Sequence, residues 1–322
     1  MRASSNLQVQ GWTDANHFRD SCRAVNTTRQ DSLRLVVGFS AGSLSDNIAR
    51  IVAGAISAEL GRKVEIASRP GHNGATAARD VAAGTPDGNT LFLATLGTHA
   101  IAPSLKGGTP YDPLRDFACV ALLTKSPMLL ACHPGTGVGS IAELIARSKS
   151  RAAPLTYATS AVGGAPHLAA AMFEALTGVT MRHVRYDETE QLYRDLEAGR
   201  VDLSFNNLIS MLPRCRSGAL RALGVSSVGR SAVAPEIPTI AESGVPGYEV
   251  ANWTGVVAPR ETPADCVAEL SRAMDRAMRS APIRTTLIAQ GIEPCGGTPQ
   301  ACADFMATEL ARWRSIASRL TV

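Results

Sequence analysis

The chain has 322 residues, of which 45% are apolar, 19% charged and 5% aromatic, and its formal net charge is +4. This is an ordinary globular balance, on a length that suits one large domain or two lobes, so disordered and fibrous classes are excluded. The mild charge and the lack of a Lys/Arg cluster speak against a nucleic-acid partner, and no apolar run reaches the roughly 18 residues of a membrane-crossing helix.

Residues 1–31 are polar and aperiodic, with Trp12 and Phe18 isolated and no apolar stretch of the kind a secretory signal carries. They read as a loose N-terminal extension. Regularity begins at 33–39 (LRLVVGF), a short β-branched run that predicts a strand. After the loop 40–45, apolar residues at Ile48, Ile51, Val52, Ala55, Ile56 and Leu60 follow helical spacing, and Gly61 supplies the stop. A strand over 63–66, a Pro/Gly turn over 69–74, a small-residue helix over 75–83 and a strand over 90–94 come next.

Farther on, 128–132 reads as a strand, and Ser140 with Glu143 forms a capping box for a helix over 141–148. Helices are predicted over 167–176, closed by Gly178, and over 191–198; strands over 201–205 and 220–225; and two late helices open on Thr262–Pro263 and Thr298–Pro299. This alternation predicts an α/β fold with mostly parallel sheets covered by helices.

Catalytic signals are few. Gly38-Phe39-Ser40-Ala41-Gly42 is a G-x-S-x-G between strand and helix, the setting of a serine nucleophile, and it keeps a serine hydrolase using Ser40 as the enzymatic alternative. Against it, the last histidine is His183, and no His-Gly-Gly segment precedes Ser40 to form an oxyanion hole. The glycines at 135, 137 and 139 miss the dinucleotide spacing because Ser140 stands where the third is needed. Seven cysteines (22, 119, 132, 215, 266, 295, 302) contain no C-x-x-C pair, so neither a zinc site nor a disulfide framework is expected. No cofactor and no metal are expected.

Two strand-to-helix loops, 40–45 and 159–165, are rich in Gly, Ser and Thr. Helix N-termini of this composition expose N–H groups and a partial positive charge that hold carboxylates without Arg or Lys. A third loop offers the hydroxyls of Thr95 and Thr98 around Gly97, although all three loops also read as ordinary connections. Asp46 stands either as a helix cap through Ser43 or as a ligand contact, and His167 either as a structural histidine or at the site. Asn206 and Asn207 either bond a ligand or cap a turn.

In their order and spacing, VGFSAGSLSD (37–46), SRPGHNGA (68–75), PDGNTL (86–91), GTHAIAPSL (97–105), YDPLRDF (111–117), YATSAVGGAPHLA (157–169), HVRY (183–186), GRVDLSFNN (199–207), GALRALGV (218–225), PEIPTIAESGVPGYE (235–249) and GGTP (296–299) resemble the tripartite tricarboxylate transporter substrate-binding receptors, the Bug (Bordetella uptake gene) family. The resemblance implies a two-lobed type II periplasmic-binding-protein fold with a ligand cleft between lobes, closing like a flytrap. The first lobe is expected over 32–125 plus 226–322 and the second over 126–225. It implies a receptor, not an enzyme, that passes a small organic acid, amino acid or amide to membrane transporter subunits, as a monomer without nucleic acid. Ligand contacts are expected at Phe39, Ala41, Gly42, Ser43, Ser45, Asp46, Thr95, Gly97 and Thr98 from one lobe. From the other they are expected at Ser160, Val162, Gly163, Gly164, Ala165, His167, Asn206 and Asn207.

Two departures from the family pattern stand out. Ser40, Ala41 and Ser43 replace the usual Pro, Pro and second Gly, and Asp187-Glu188-Thr189-Glu190 replaces a Lys-Gly-Ser-like segment. Acidic residues bordering the cleft would repel a polyanion, which favours a monocarboxylate, amide or zwitterion over citrate. The resemblance implies a periplasmic location; the composition of 1–31 and the cysteines leave a cytoplasmic ligand sensor as the alternative.

Overall fold

A computed structural model describes residues 32–160 and 164–317. The chain runs β1 (Ser32–Val37), α1 (Leu44–Leu60), β2 (Lys63–Ser68), α2 (Ala75–Ala82), β3 (Thr90–Thr95) and the long β4 (Phe117–Cys132). It continues through α3 (Ile141–Ser150), β5 (Leu155–Thr159), α4 (Ala165–Thr177), β6 (Met181–Arg185), α5 (Thr189–Glu197), β7 (Leu203–Asn207), α6 (Leu208–Arg216) and β8 (Arg221–Val225). Then follow β9 (Ala251–Pro259), α7 (Ala264–Arg279), α8 (Ala281–Ala289), β10 (Glu293–Pro294) and α9 (Pro299–Ala317).

The strands form one sheet in the order β2-β1-β3-β9-β4-β7-β5-β6, with β8 and β10 also on β4. The outer pairs β1–β2, β1–β3, β5–β6 and β5–β7 are parallel. Every pair made by β4 or β9 is antiparallel, which corrects the expectation of mostly parallel sheets. The reason lies in β4: its 16 residues pair with β9 as far as Pro127 and with β7 and β8 from Met128 onward. Pro127 has no N–H to give a ladder, so it stands where the strand changes partner.

Each half packs helices on both sheet faces. In the first, alternation sends Leu33, Leu35 and Val37 towards α1 and α7, while Val36 faces the opposite side with Phe92, Met306 and Trp313. In the second, Leu129, Ala131 and Ala158 meet Leu192 and Leu196 of α5 and Met211 of α6, and Phe173 of α4 covers the other face beside Phe205. Sequence punctuation places the helix ends: Gly61 and Gly178 take left-handed C-cap conformations, and Ser140 Oγ accepts the Glu143 N–H at 3.2 Å while Glu143 accepts that of Gly139 at 2.7 Å.

The chain crosses twice between halves, and the second crossing lies later than expected. Residues 226–250 do not join the first half at 226. Ala234 and Ile237 pack with Leu129 and Val225, Ile240 N–H bonds Val225 O at 2.9 Å, and Tyr248 donates its hydroxyl to Ala169 O at 3.0 Å. Ser226 knits the crossing: its Oγ accepts from Met128 N–H at 2.7 Å and donates to the carbonyl of Val250, just before β9. Apolar residues of 226–250 thus find their burial on the second half, and the chain returns only at β9. Among the described residues no helix is long and apolar enough to cross a membrane.

Candidate ligand-binding cleft

A cleft of about 420 Å³ opens where the two halves meet. Its floor is the pair of crossing strands, with Ser126 of β4 and Asn252, Trp253 and Thr254 of β9. The first half contributes Phe39, Thr95, Asn73 and the first turn of α1, and the second half contributes Gly164 and Ala165 at the start of α4. Among the described residues, no charged side chain lines it.

The N-terminus of α1 is built from its own loop. Ser43 is the N-cap and accepts the Asp46 N–H at 3.3 Å, while Asp46 reaches back to Gly42 N–H at 3.0 Å. Asp46 is buried and its carboxylate also holds Arg50 at 2.8 and 3.1 Å and Ser68 Oγ at 2.7 Å. The hydrogen bond from Arg50 leads in lowering its pKa to about 2. Asp46 is therefore occupied in shaping the loop and does not face the cleft. Helix geometry leaves the first-turn N–H groups of Leu44 and Ser45 without an intrahelical acceptor, beside the cavity.

Across the cleft, α4 begins at Ala165, two residues earlier than the pattern predicted. Its N-cap is Gly164, with no side chain capping it and Pro166 in its first turn. This is the second helix N-terminus on the same cavity. Val162 and Gly163, expected contacts, lie outside the described residues; Ser160, at the end of β5, is half-buried and not among the lining.

The third loop divides. Thr95 and Gly97 line the cavity, and Gly97 opens a π-helical turn over Gly97–Ile101, a local irregularity common at functional sites. Thr98 is fully buried instead: its Oγ1 bonds Thr95 N–H at 3.0 Å and lies 3.0 Å from His99 Nδ1, and its carbonyl accepts the Tyr111 hydroxyl at 2.7 Å. Ala41 and Gly42 are exposed beside the α1 loop and not part of the lining.

His167 meets the tilted ring of His183 with centroids 4.6 Å apart and stacks on Tyr157 at 6.2 Å, turned into the second half. Burial, then the neighbouring His183, lower its pKa. Asn206 and Asn207 sit on β7 opposite Leu129 and Met128; Asn206 Oδ1 accepts the Asn207 N–H at 2.9 Å and Asn207 precedes α6. Neither lines the cleft, and neither do the carboxylates of 187–190, where Asp187 is exposed and pairs with Arg185 at 3.1 Å.

Sequence reasoning missed the floor and the apolar wall. Asn252, Trp253 and Thr254 belong to a strand that was not predicted, and Leu44, Ile101, Ala102 and Leu105 carried no chemical signal of their own. Asn73 had one: it follows Gly71 in a Pro/Gly turn and takes a positive φ of 53°, a conformation asparagine tolerates better than most residues. That turn is pressed against β1, since Gly74, at φ 88°, packs so closely that a methyl on Gly38 would stand 2.6 Å from its Cα.

The sequence profile of the tripartite tricarboxylate transporter family receptors, TctC, matches residues 48–322. The chain belongs to this family. It is 31% identical to BugT of Bordetella pertussis over 285 residues, covering 88% of this chain and 87% of that protein. Among solved structures, Rpa4515 of R. palustris with adipate shares 36% identity at a TM-score of 0.74, covering 89% of this chain and 96% of that one. MatC of Rhodopseudomonas palustris with bound malate shares 31% at a TM-score of 0.71, covering 89% and 98%. The fold is therefore that of the periplasmic solute-binding proteins, and the chain is a solute-binding receptor of a family that is not enzymatic. This removes the serine-hydrolase reading of Ser40.

Proposed function

We propose that this receptor captures a small carboxylate with a hydrocarbon body, in the periplasm, and presents it to the membrane subunits of a tripartite transporter. One observation carries the ligand class: two helix N-termini, one from each half, meet on a cleft lined by no charged side chain among the described residues. Each terminus carries about half a positive charge and free N–H donors, enough to hold a carboxylate but poorly matched to a trianion. Leu44, Ile101, Ala102 and Leu105 provide an apolar wall for the rest of the molecule. Closing the halves around it would desolvate these contacts and strengthen them.

The solved relatives with adipate and with malate, both dicarboxylates, support a ligand with two carboxylates. The expectation of a monocarboxylate, amide or zwitterion rested on the acidic run at 187–190, which is not part of the lining, so dicarboxylates return to the candidate set. The transporter partner and the periplasmic location rest on the family.

Thermal-shift and calorimetric titration against adipate, benzoate, malate, glutamate and citrate test this. Hydrocarbon-bodied acids are expected to raise Tm, with about 2.7 kcal/mol of stabilisation at a hundredfold excess over Kd. Tight citrate or glutamate binding would overturn the ligand class and leave the receptor role standing. A flat response from protein shown by native mass spectrometry to hold no retained molecule would overturn carboxylate capture itself.

A further inference from the structure

Three sulfur atoms meet where β4 passes under the first turns of α9. Cys119 Sγ lies 3.6 Å from Met306 Sδ, and Cys302 stands one helical turn before Met306, in the apolar cluster against which Cys119 packs. Gly255 of β9 makes the room: a methyl there would stand 2.9 Å from Met306 Cε and 3.8 Å from Cys302 Sγ. The two thiols differ in access, since Cys302 is 1% exposed and Cys119 is only half-buried. They also differ in chemistry. The neighbouring Cys302 and the charge of Arg260 favour the Cys119 thiolate, whereas the neighbouring Cys119 and burial keep Cys302 protonated.

We propose that Cys119 and Cys302 are a disulfide-forming pair, with Cys119 the attacking and Cys302 the resolving thiol, oxidised by exchange with an external disulfide. The Cys119 thiolate attacks one sulfur of the donor RSSR, its S–S bond breaks, and the first RS⁻ leaves. Cys302 then gives up its proton and attacks the Cys119 sulfur of the mixed disulfide, and the second RS⁻ leaves. Two protein thiols are oxidised, one donor disulfide is reduced, and the two protein protons end on the two RSH released. The product staples α9 to β4 and closes a loop of more than half the chain. It also fixes the helix that carries Glu309, whose carboxylate holds Trp253 on the cleft floor.

The full chain is treated with oxidised glutathione, its remaining thiols are blocked, and tryptic peptides are mapped by mass spectrometry. The expected product joins peptide 116–125 to peptide 285–312, two hydrogens lighter than their sum, and raises Tm by roughly 5–15 °C in a way that dithiothreitol reverses. Peptide 285–312 also contains Cys295, so Cys295→Ser must keep the link while Cys119→Ser and Cys302→Ser abolish it. In Cys302→Ser, glutathione should remain trapped on Cys119. A link through Cys295, a link between two chains, or no link at all would overturn the pair. Glutathione trapped on Cys302 in Cys119→Ser, with Cys119 unreactive in Cys302→Ser, would overturn the assigned order; Cys119→Ser, at a half-buried position, keeps the test open should Cys302→Ser fail to fold.

Discussion

Trp253 on the cleft floor donates its indole N–H to the buried carboxylate of Glu309 at 3.1 Å, and the same Oε2 accepts the indole of Trp313 at 3.3 Å. Arg312 closes the arrangement, pairing with Glu309 at 2.9 Å and with Glu249, just ahead of β9, at 2.9 Å. Burial leads in raising the Glu309 pKa, and Arg312 with the two indoles opposes it. Glu309→Ala is expected to strand two buried indole donors and to cost about 2–4 kcal/mol. Glu309→Gln, which keeps one acceptor, is expected to cost less. Urea unfolding followed by tryptophan fluorescence reads both.

Helix ends in both halves and much of the α1 side of the cleft were legible because local chemistry dictates them. Ser43–Asp46 and Ser140–Glu143 are caps whose partners lie within four residues, and Gly61 and Gly178 mark helix ends by their own backbone. What stayed hidden depends on distant chain. Nothing near Trp253 announces a strand whose value lies in bridging β3 and β4, and Pro127 masked β4 as a continuous element. Thr98, Asn206 and His167 have the residue types of a site, but the fold spends them on interior bonds and stacks. Leu44 shows the converse, a residue without chemical signal that the helix start places at the cavity.

Asp46 gives a pH signature in the acid range. Its folded pKa of about 2 lies below the ordinary aspartate value of 3.8, which the unfolded chain keeps, so its contribution is present above pH 3.8 and is lost as pH falls towards 2. Because Arg50 is half exposed, that contribution is screened to about 1–2 kcal/mol. Asp46→Asn should lower the unfolding free energy read by urea titration at pH 7 by that amount and converge with the parent protein near pH 2. If Asp46 instead held the ligand directly, the variant would lose affinity by orders of magnitude with its fold intact.

His99 acts at milder pH. It is fully buried among Phe92, Tyr111 and Phe117, its Nε2 has no hydrogen-bond partner among the described residues, and burial pushes its pKa down to about 3. The unfolded chain binds a proton near pH 6.5 that the folded chain refuses. Stability is therefore full above that pH and falls below it, by up to about 1.4 kcal/mol per pH unit. His167 and His183, both also lowered by burial, add to the slope. His99→Leu should flatten the loss between pH 6 and pH 4.5 without destabilising the protein at pH 7, as read by urea titrations at fixed pH.

Leu44 offers the sharpest separation of binding from folding. It is the first residue of α1, 40% exposed, and lines the cleft on the apolar wall. Truncation to Ser leaves the helix N-terminus and its N–H donors in place but removes apolar surface that a bound hydrocarbon chain would cover. At about 25 cal/mol per Å² for some tens of Å², the loss is about 1–2 kcal/mol, or roughly 5- to 30-fold in Kd. Stability should stay within about 0.5 kcal/mol, as for other surface substitutions. Titrating Leu44→Ser with adipate and with malate separates the two parts of the ligand: the adipate Kd should rise and the malate Kd should barely move. An equal loss for both acids would mean that Leu44 shapes the carboxylate grip at the helix start and does not read the hydrocarbon body.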